Sequence, residues 1–394
     1  MASPRTIALI YNDDFYLHRF KGGLLRALSA AGHRVYAIAP AGRSVRSIEE
    51  EGATFIHWPL ARRGANPITE LRSLLALRSI YRRIKPDLVH HFTAKPRIYG
   101  ALAARLAGVP LAVASVNGLG YMFIERNRRS AVVRPAVSLM YRLAFGLSEA
   151  VVFQNHDDIS FFQSGGLLSK NKTRYIPGGS GVDTSFFRPE AVGSAERGSL
   201  KAALGIPADV PVIIMVGRML THKGIGEFAE SARILARNRR VCALMVGPVD
   251  GGNPASVTPA TLVEWEQQGW IHHLGERSDI RELLAISDVV VLPSYREGFP
   301  RVLLEAAAMA RAIVTTDVPG CRDVVDDGEN GLLSPVRDAG ALALAVEKLL
   351  ASPSLRETFG DAARRKAVAE FDERKVVERM MRLYDELLAG KQRA

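Results

Sequence analysis

The stretch DVVVLPSYREGFPRVLLEAAAMA, Asp288 to Ala310, holds a strand, a loop and a helix start in direct succession. Val289 to Leu292 is a short apolar run of strand character. Pro300 carries the fixed backbone angle preferred at the first position of a helix, where its missing N–H would have had no partner anyway. Glu297, Gly298 and Phe299 therefore belong to the strand-to-helix loop. Upstream, apolar runs recur at Pro211 to Val216, Cys242 to Val246 and Trp270 to Leu274, and downstream at Ala312 to Thr315, with helical stretches between them. The first half repeats the rhythm at Thr6 to Tyr11, Val35 to Ala39, Phe55 to Trp58, Leu88 to His91, Leu111 to Val116 and Ala150 to Gln154. Short strands separated by helices predict right-handed crossovers and mostly parallel, doubly wound sheets of the α/β class.

Near Tyr175 to Pro189 the rhythm breaks in IPGGSGVDTSFFRPE, and a polar stretch with Gly193, Ser194, Gly198 and Ser199 follows. That break predicts two Rossmann-like domains, residues 1–190 and 191–370, then a terminal helix over 371–394 packing back toward the first. Two facing domains of this kind would leave a cleft between them at the carboxyl ends of both sheets, where open parallel sheets bind ligands.

A length of 394 residues is too much for one ordinary core and fits two. With 47% apolar and 24% charged residues, wholesale disorder, collagen-like repeats and a polytopic membrane protein are excluded. Cys242 and Cys321 cannot build a disulfide framework, so a reducing cytosol is the expected compartment. The opening MASPRTIALIYNDDF lacks the layout of a secretory signal. The uncharged stretch from Leu106 to Ile124 is broken by Pro110, Asn117 and three glycines, and reads as a helix end, a buried strand and a loop. Net charge is +11 but unevenly shared. Residues 1–190 carry 26 basic and 13 acidic side chains, residues 191–394 carry 26 and 28. Such asymmetry predicts that the first domain meets a polyanion: a nucleic acid, an acidic membrane surface or a diphosphate.

The helix that starts at Pro300 offers backbone N–H groups and a positive dipole end, a natural diphosphate seat. Glu305 lies five residues on, about 8 Å further along the axis at roughly 1.5 Å per residue, so it and Glu297 can hold different parts of one ligand. A nucleotide sugar has that length and hydroxyl groups at both ends. Acidic residues at a helix start also complement its dipole without binding anything, so the spacing by itself leaves both readings open. The strand Val212 to Val216 runs into GRMLTHKGIGEF, which brings Arg218 and Lys223 to the same sheet edge. An arginine fork and a lysine point charge suit phosphate oxygens and a departing nucleoside diphosphate. The chain has no Asp-x-Asp sequence; the pairs Asp13-Asp14, Asp157-Asp158 and Asp326-Asp327 read as caps or turns. Metal-independent chemistry with no cofactor is expected.

EGFPRVLLE, Glu297 to Glu305, resembles the E-x7-E signature of the family 4 retaining glycosyltransferases of GT-B fold, and GRMLTHKG resembles their diphosphate clamp. The likeness extends through RSDIRELLAISDVVVLPSYREGFP and DVVDDGENGLL, effectively the whole second half. The resemblance implies that Arg218 and Lys223 hold the diphosphate, that Glu297 contacts the donor sugar and that Gly298 and Phe299 offer backbone contacts. It further implies that Glu305 binds the ribose, that the loop Gly275 to Ser278, Arg277 included, lies beside the base, and that the donor is a UDP-sugar. In the first half, NPITELRSLLALRSIYRRIKPDLVHHFTAKPRIYGALAARLAGVP followed by NGLGYMF is similar to the subgroup that extends polyprenyl-diphosphate-linked sugars in bacterial glycan assembly, notably N-acetylhexosaminyl transferases. That likeness implies a lipid-diphosphate-linked sugar acceptor.

On the acceptor side, Arg19 and Lys95 are candidates for a diphosphate, with His91 near the reacting hydroxyl; a strand-end histidine equally suits a structural role. The segment Arg126 to Leu147 mixes Arg126, Arg128, Arg129, Arg134 and Arg142 with Val132, Val133, Val137, Met140, Leu143 and Phe145. It suits an anionic lipid surface, or a core helix with a basic solvent side. The expected location is the cytoplasm, peripheral on the inner face of the plasma membrane. Competing readings are a transferase with a soluble acceptor, a non-hydrolysing UDP-sugar epimerase, which shares the two-domain plan, and a nucleic-acid binder. Scattered basic residues, 7% aromatics and no recognition motif argue against the last.

Overall fold

Uniformly apolar strands such as VVVL and CALMV bury both faces, which requires helices above and below each sheet. The computed structural model describes residues 3–61, 66–119, 128–253 and 255–392, and they form two α/β units. Among the described residues every named strand pairs in parallel with its neighbours.

The first unit contains Met1–Ser180 and Arg374–Ala394. Its strands are β1 (Thr6–Ile10), β2 (Arg34–Ala39), β3 (Thr54–His57), β4 (Leu88–Phe92), β5 (Leu111–Val116), β6 (Ala150–Phe153) and β7 (Thr173–Tyr175), ordered β3-β2-β1-β4-β5-β6-β7. The crossovers are α1 (Asp14–Ala30), α2 (Val45–Glu50), α3 (Pro67–Ile84), α4 (Ala94–Ala107), α5 (Arg128–Gly146) and α6 (His156–Ser164). Local chemistry sets their ends. Asp13 caps α1 by accepting from Tyr16 N, Asn66 caps α3 ahead of Pro67 at its start, and α4 stops at Gly108 in the left-handed conformation.

The second unit contains Gly181–Glu373, ten residues earlier than the boundary expected at 190/191. Val182, Phe187 and Val192, inside the stretch read as a linker, are buried in the second core, and Arg364 clamps the Thr184 and Phe187 carbonyls. Strands β8 (Val212–Val216), β9 (Cys242–Val246), β10 (His272–His273), β11 (Val289–Leu292), β12 (Ala312–Thr316) and β13 (Leu332–Ser334) are ordered β10-β9-β8-β11-β12-β13. Between and after them come α7 (Ser194–Ala203), α8 (Ile225–Leu235), α9 (Pro259–Gln267), α10 (Ile280–Ile286), α11 (Arg301–Ala308), α12 (Ala339–Ala351) and α13 (Pro353–Lys366). A π-helical turn, Ala367–Phe371, leads into α14 (Glu373–Gln392). Val376, Met380, Leu383 and Tyr384 of α14 share a core with Ile7, Leu9, Leu88 and Phe92 of the first unit. The Tyr384 hydroxyl lies 2.5 Å from His90 Nδ1.

With these boundaries the charge asymmetry sharpens. The first unit carries 31 basic against 14 acidic side chains, +17, and the second 21 against 27, −6. No described helix is long and apolar enough to cross a membrane.

Candidate functional site

In each sheet the chain reverses its order of addition at one point, between β8 and β11 in the second unit and between β1 and β4 in the first, and loops leaving the carboxyl ends diverge there. In the second unit three such loops are locked together through their backbones. Tyr295 N, after β11, donates to His222 O, after β8, at 2.9 Å, and Glu297 N donates to Pro319 O, after β12, at 3.2 Å. Glycine makes both approaches possible. Gly224 sits at φ +75° with no room for a Cβ, which would lie 2.1 Å from Pro293 O. Gly320 sits at φ +82°, and a Cβ there would lie 2.7 Å from Gly298 O.

Those loops bring together Lys223 and Glu297, 74 residues apart in sequence. Lys223 Nζ lies 2.5 Å from Glu297 Oε1, which also accepts from Ser294 Oγ at 2.7 Å, with side chains only 20% and 11% exposed. The sequence placed lysine on phosphate and glutamate on sugar; the structure pairs them with each other. The contact fixes the Lys223 ammonium group in place at the sheet edge. Beneath them Thr316 Oγ1 donates to Ser294 O, Thr315 Oγ1 donates to Leu292 O at 2.7 Å, and Cys321 is fully buried, its thiol pushed up to about 12 by desolvation. These three residues carried no sequence signal, because their role is to support the loop that holds Glu297.

Arg218 lies on the rim, 46% exposed, with Nη1 3.4 Å from Asp250 Oδ2. Pro300 proves to be the N-cap of α11, one residue before the expected first helical position, and Arg301 begins the helix. Glu305 is 4% exposed on α11 and accepts from Arg301 Nε at 3.0 Å, an i,i+4 pair. Phe299 packs its ring against Phe371, centroids 5.3 Å apart, which anchors the loop ahead of α11. Arg277, in the loop after β10, spends its fork on Asp279 at 2.8 and 2.6 Å; these hydrogen bonds raise the guanidinium's pKa and lower that of the carboxyl. Its expected place beside a base therefore requires that pair to open.

The acceptor-side expectations fare differently. His91 is fully buried, with Nε2 2.9 Å from Tyr81 OH of α3, and burial lowers its pKa to about 3. It cannot touch a reacting hydroxyl, because strand alternation turns it under α3 and α4, where a Cβ on Gly100 would strike its ring. Lys95 is held by Glu70 Oε1 at 2.6 Å and Ala61 O at 2.7 Å, while Arg19 is exposed on α1. The three are not brought together into one cluster.

On α5, Phe145 is buried and Val137 and Met140 pack partly buried on the core, whereas Val133, Leu139 and Leu143 are exposed. Arg126, the GYMF of NGLGYMF, and the side chains of Arg128, Arg129 and Val132 lie outside the described residues. A second exposed apolar stripe, Ile68, Leu71 and Leu75, lies on α3. Among the described residues no group of three or more His, Cys, Asp or Glu side chains could hold a metal ion.

Residues 196–366 match the family model described as glycosyl transferases group 1, and residues 6–155 match the one described as glycosyl transferase 4-like. The chain is 30% identical over 372 residues, 94% of its length and 96% of the relative's, to the N,N'-diacetylbacillosaminyl-diphospho-undecaprenol alpha-1,3-N-acetylgalactosaminyltransferase of Campylobacter jejuni. It is 27% identical, covering 84% of each chain, to the UDP-Gal:alpha-D-GlcNAc-diphosphoundecaprenol alpha-1,3-galactosyltransferase of Escherichia coli. Among solved structures, a glycosyltransferase from Rickettsia africae superposes with a TM-score of 0.80 at 20% identity over 98% of this chain and 99% of the other. Anabaena HepE, solved in complex with UDP and glucose, gives 0.79 at 18% identity over 97% of this chain and 100% of the other.

Proposed function

We propose that this chain, which belongs to the group 1 glycosyltransferases and has the two parallel-sheet domains of the GT-B fold, moves a sugar from a UDP-sugar to a polyprenyl-diphosphate-linked saccharide. The sugar is an N-acetylhexosamine, transferred with retention of anomeric configuration and without a metal ion. One observation carries the donor half of this reading: Arg218, Lys223, Glu297 and Glu305 all belong to the loops and the helix at the carboxyl edge of β8 and β11. The acceptor half is supported by the Campylobacter relative, whose name specifies an undecaprenol diphosphate-linked acceptor and which matches over nearly its whole length.

The chemistry follows from that edge. A donor diphosphate placed at the start of α11 meets the positive dipole end of the helix and the N–H groups of its first turn. Its oxygens compete with Glu297 for Lys223, and the exchange leaves the Glu297 carboxylate, still held by Ser294, ready to accept from a sugar hydroxyl. Arg218, half exposed, turns from Asp250 to the same phosphates. As the bond from the anomeric carbon to the diphosphate breaks, negative charge grows on the leaving UDP, and the two cations stabilise it in an oxocarbenium-like transition state. Exclusion of water protects the donor from hydrolysis. Glu305, buried and oriented by Arg301, suits the ribose hydroxyls.

The membrane surface completes the proposal. The +17 unit presents Ile68, Leu71 and Leu75 on α3 and Val133, Leu139 and Leu143 on α5 among Arg72, Arg82, Arg83 and Arg142, a mixture suited to anionic lipid, at about 1 kcal/mol per basic group. Purified protein is expected to float with anionic but not neutral liposomes. The transfer itself is tested by screening UDP-sugars against a short-chain polyprenyl-diphosphate sugar and reading the product by mass spectrometry and NMR. Hydrolysis or epimerisation of the UDP-sugar without transfer to that acceptor would overturn the proposal.

A further inference from the structure

The first unit buries a charge that none of its described residues neutralises. Arg97, on the first turn of α4, is 2% exposed. Its Nε donates to Thr93 O at 3.1 Å and its Nη2 to Tyr141 OH at 3.0 Å, with the guanidinium 5.0 Å from the Tyr141 ring centroid. Nη1 has no hydrogen-bond partner, and no carboxylate among the described residues pairs with this arginine. A buried guanidinium normally finds a carboxylate, because desolvating an unpaired charge is strongly unfavourable. The side chain folds back over the N-cap, so this cation lies at the positive end of a 14-residue helix, where like charge is least welcome.

Thr93 supplies the second orphan. It is the N-cap of α4, yet its hydroxyl caps nothing: Oγ1 is buried without a partner. Its backbone stands at φ +64° and ψ +168°, a conformation that a β-branched residue adopts only under constraint. Both residues sit where β4 ends beside β1, at the strand-order reversal of the first sheet. An N–H of a guanidinium and an O–H at a helix N-terminus are complementary to an anion with several oxygens.

We propose that the N-terminal end of α4 seats the diphosphate of the lipid-linked acceptor, with Arg97 and Thr93 as its side-chain ligands. This assignment rests on the transferase reading above and replaces Arg19 and His91 as the acceptor-binding groups. The acceptor anion relieves the uncompensated charge, so binding it tightens the first unit as well as holding the substrate.

The test titrates inorganic pyrophosphate by calorimetry into protein already saturated with UDP, so that the donor edge is filled. Wild-type protein is expected to bind one pyrophosphate. Arg97→Gln is expected to weaken it roughly tenfold or more, the worth of a charge-assisted hydrogen bond, and Thr93→Val by a smaller factor, with UDP affinity unchanged in both. If Arg97→Gln loses its melting transition, Thr93→Val, which keeps volume and branching, decides. A short-chain polyprenyl diphosphate is expected to displace the pyrophosphate competitively, which ties the seat to the acceptor. Pyrophosphate affinity unchanged in the variants, or a polyprenyl diphosphate that binds without displacing pyrophosphate, overturns the assignment and leaves the donor site standing. Failure of UDP itself to bind overturns the transferase reading instead.

Discussion

Gly320 and Gly328 offer a matched pair for asking whether loop geometry, rather than loop stability, determines donor binding. Both have positive φ, +82° and +77°, so alanine at either forces a side chain into the left-handed region at a cost of about 1 kcal/mol. They differ in what the new methyl meets. At Gly328 nothing lies within 4 Å, whereas at Gly320 the Cβ would stand 2.7 Å from Gly298 O and 2.9 Å from Glu297 O. Relieving that overlap to ordinary contact moves the 297–298 loop by about 0.5 Å or more. Since a misplacement of about 1 Å can cost a hundredfold, a loss of roughly tenfold in transfer rate and in UDP-sugar affinity is expected. Thermal unfolding and UDP calorimetry on both variants provide the readout. Gly328→Ala should lose only the left-handed cost, Gly320→Ala that and the further cost of displacing the loop, and only Gly320→Ala should lose donor binding. Equal donor affinity in the two variants refutes the claim that the backbone lock between these loops shapes the site.

Lys223→Met and Glu297→Gln are each expected to lower transfer by roughly a hundredfold or more. Lys223→Met should also cost about 3 kcal/mol in urea unfolding, because it strands a nearly buried carboxylate, and the double variant should recover part of that stability but none of the activity. Burial lowers the pKa of His90 and His91, so the unfolded chain binds more protons and stability is full above pH 6.5 and falls as pH drops toward 3. At pH 5.5 the two together account for about 2 to 3 kcal/mol of loss relative to pH 7.5, and His91→Asn should remove about half of that slope in denaturant titrations. Tyr384→Phe, which takes a buried hydroxyl from His90, should destabilise the first unit by about 1 to 3 kcal/mol and leave UDP affinity unchanged.

Much of the fold was legible because parallel strands buried on both faces leave continuous apolar runs, and VIIMV, CALMV and VVVL mark three adjacent strands almost to the residue. The missed strands β7 and β13 are three residues each, TRY and LLS, too short for any periodicity. The domain boundary was displaced because glycines and prolines around Val182 and Phe187 looked like linker, while those two side chains are core. At the carboxyl edge of β8 and β11 the candidate residues were readable from local spacing on one loop and one helix. Their pairing was not: the Lys223–Glu297 contact is a product of sheet order, which joins β8 to β11 past two intervening strands. On the acceptor side the error lay in direction. The sequence shows two histidines at a strand end, but only the packing of α3, through Tyr81, decides that His91 turns inward. Arg97 escaped notice because an arginine in a helix reads as solvated until its burial is seen.

The most direct test of the account is a crystal structure of the protein with UDP. The diphosphate is expected at the start of α11 within hydrogen-bond distance of Arg218 and of a Lys223 that has left Glu297, with Glu305 on the ribose. UDP bound away from the β8 and β11 carboxyl edge, or bound there with Lys223 still held by Glu297, would contradict it.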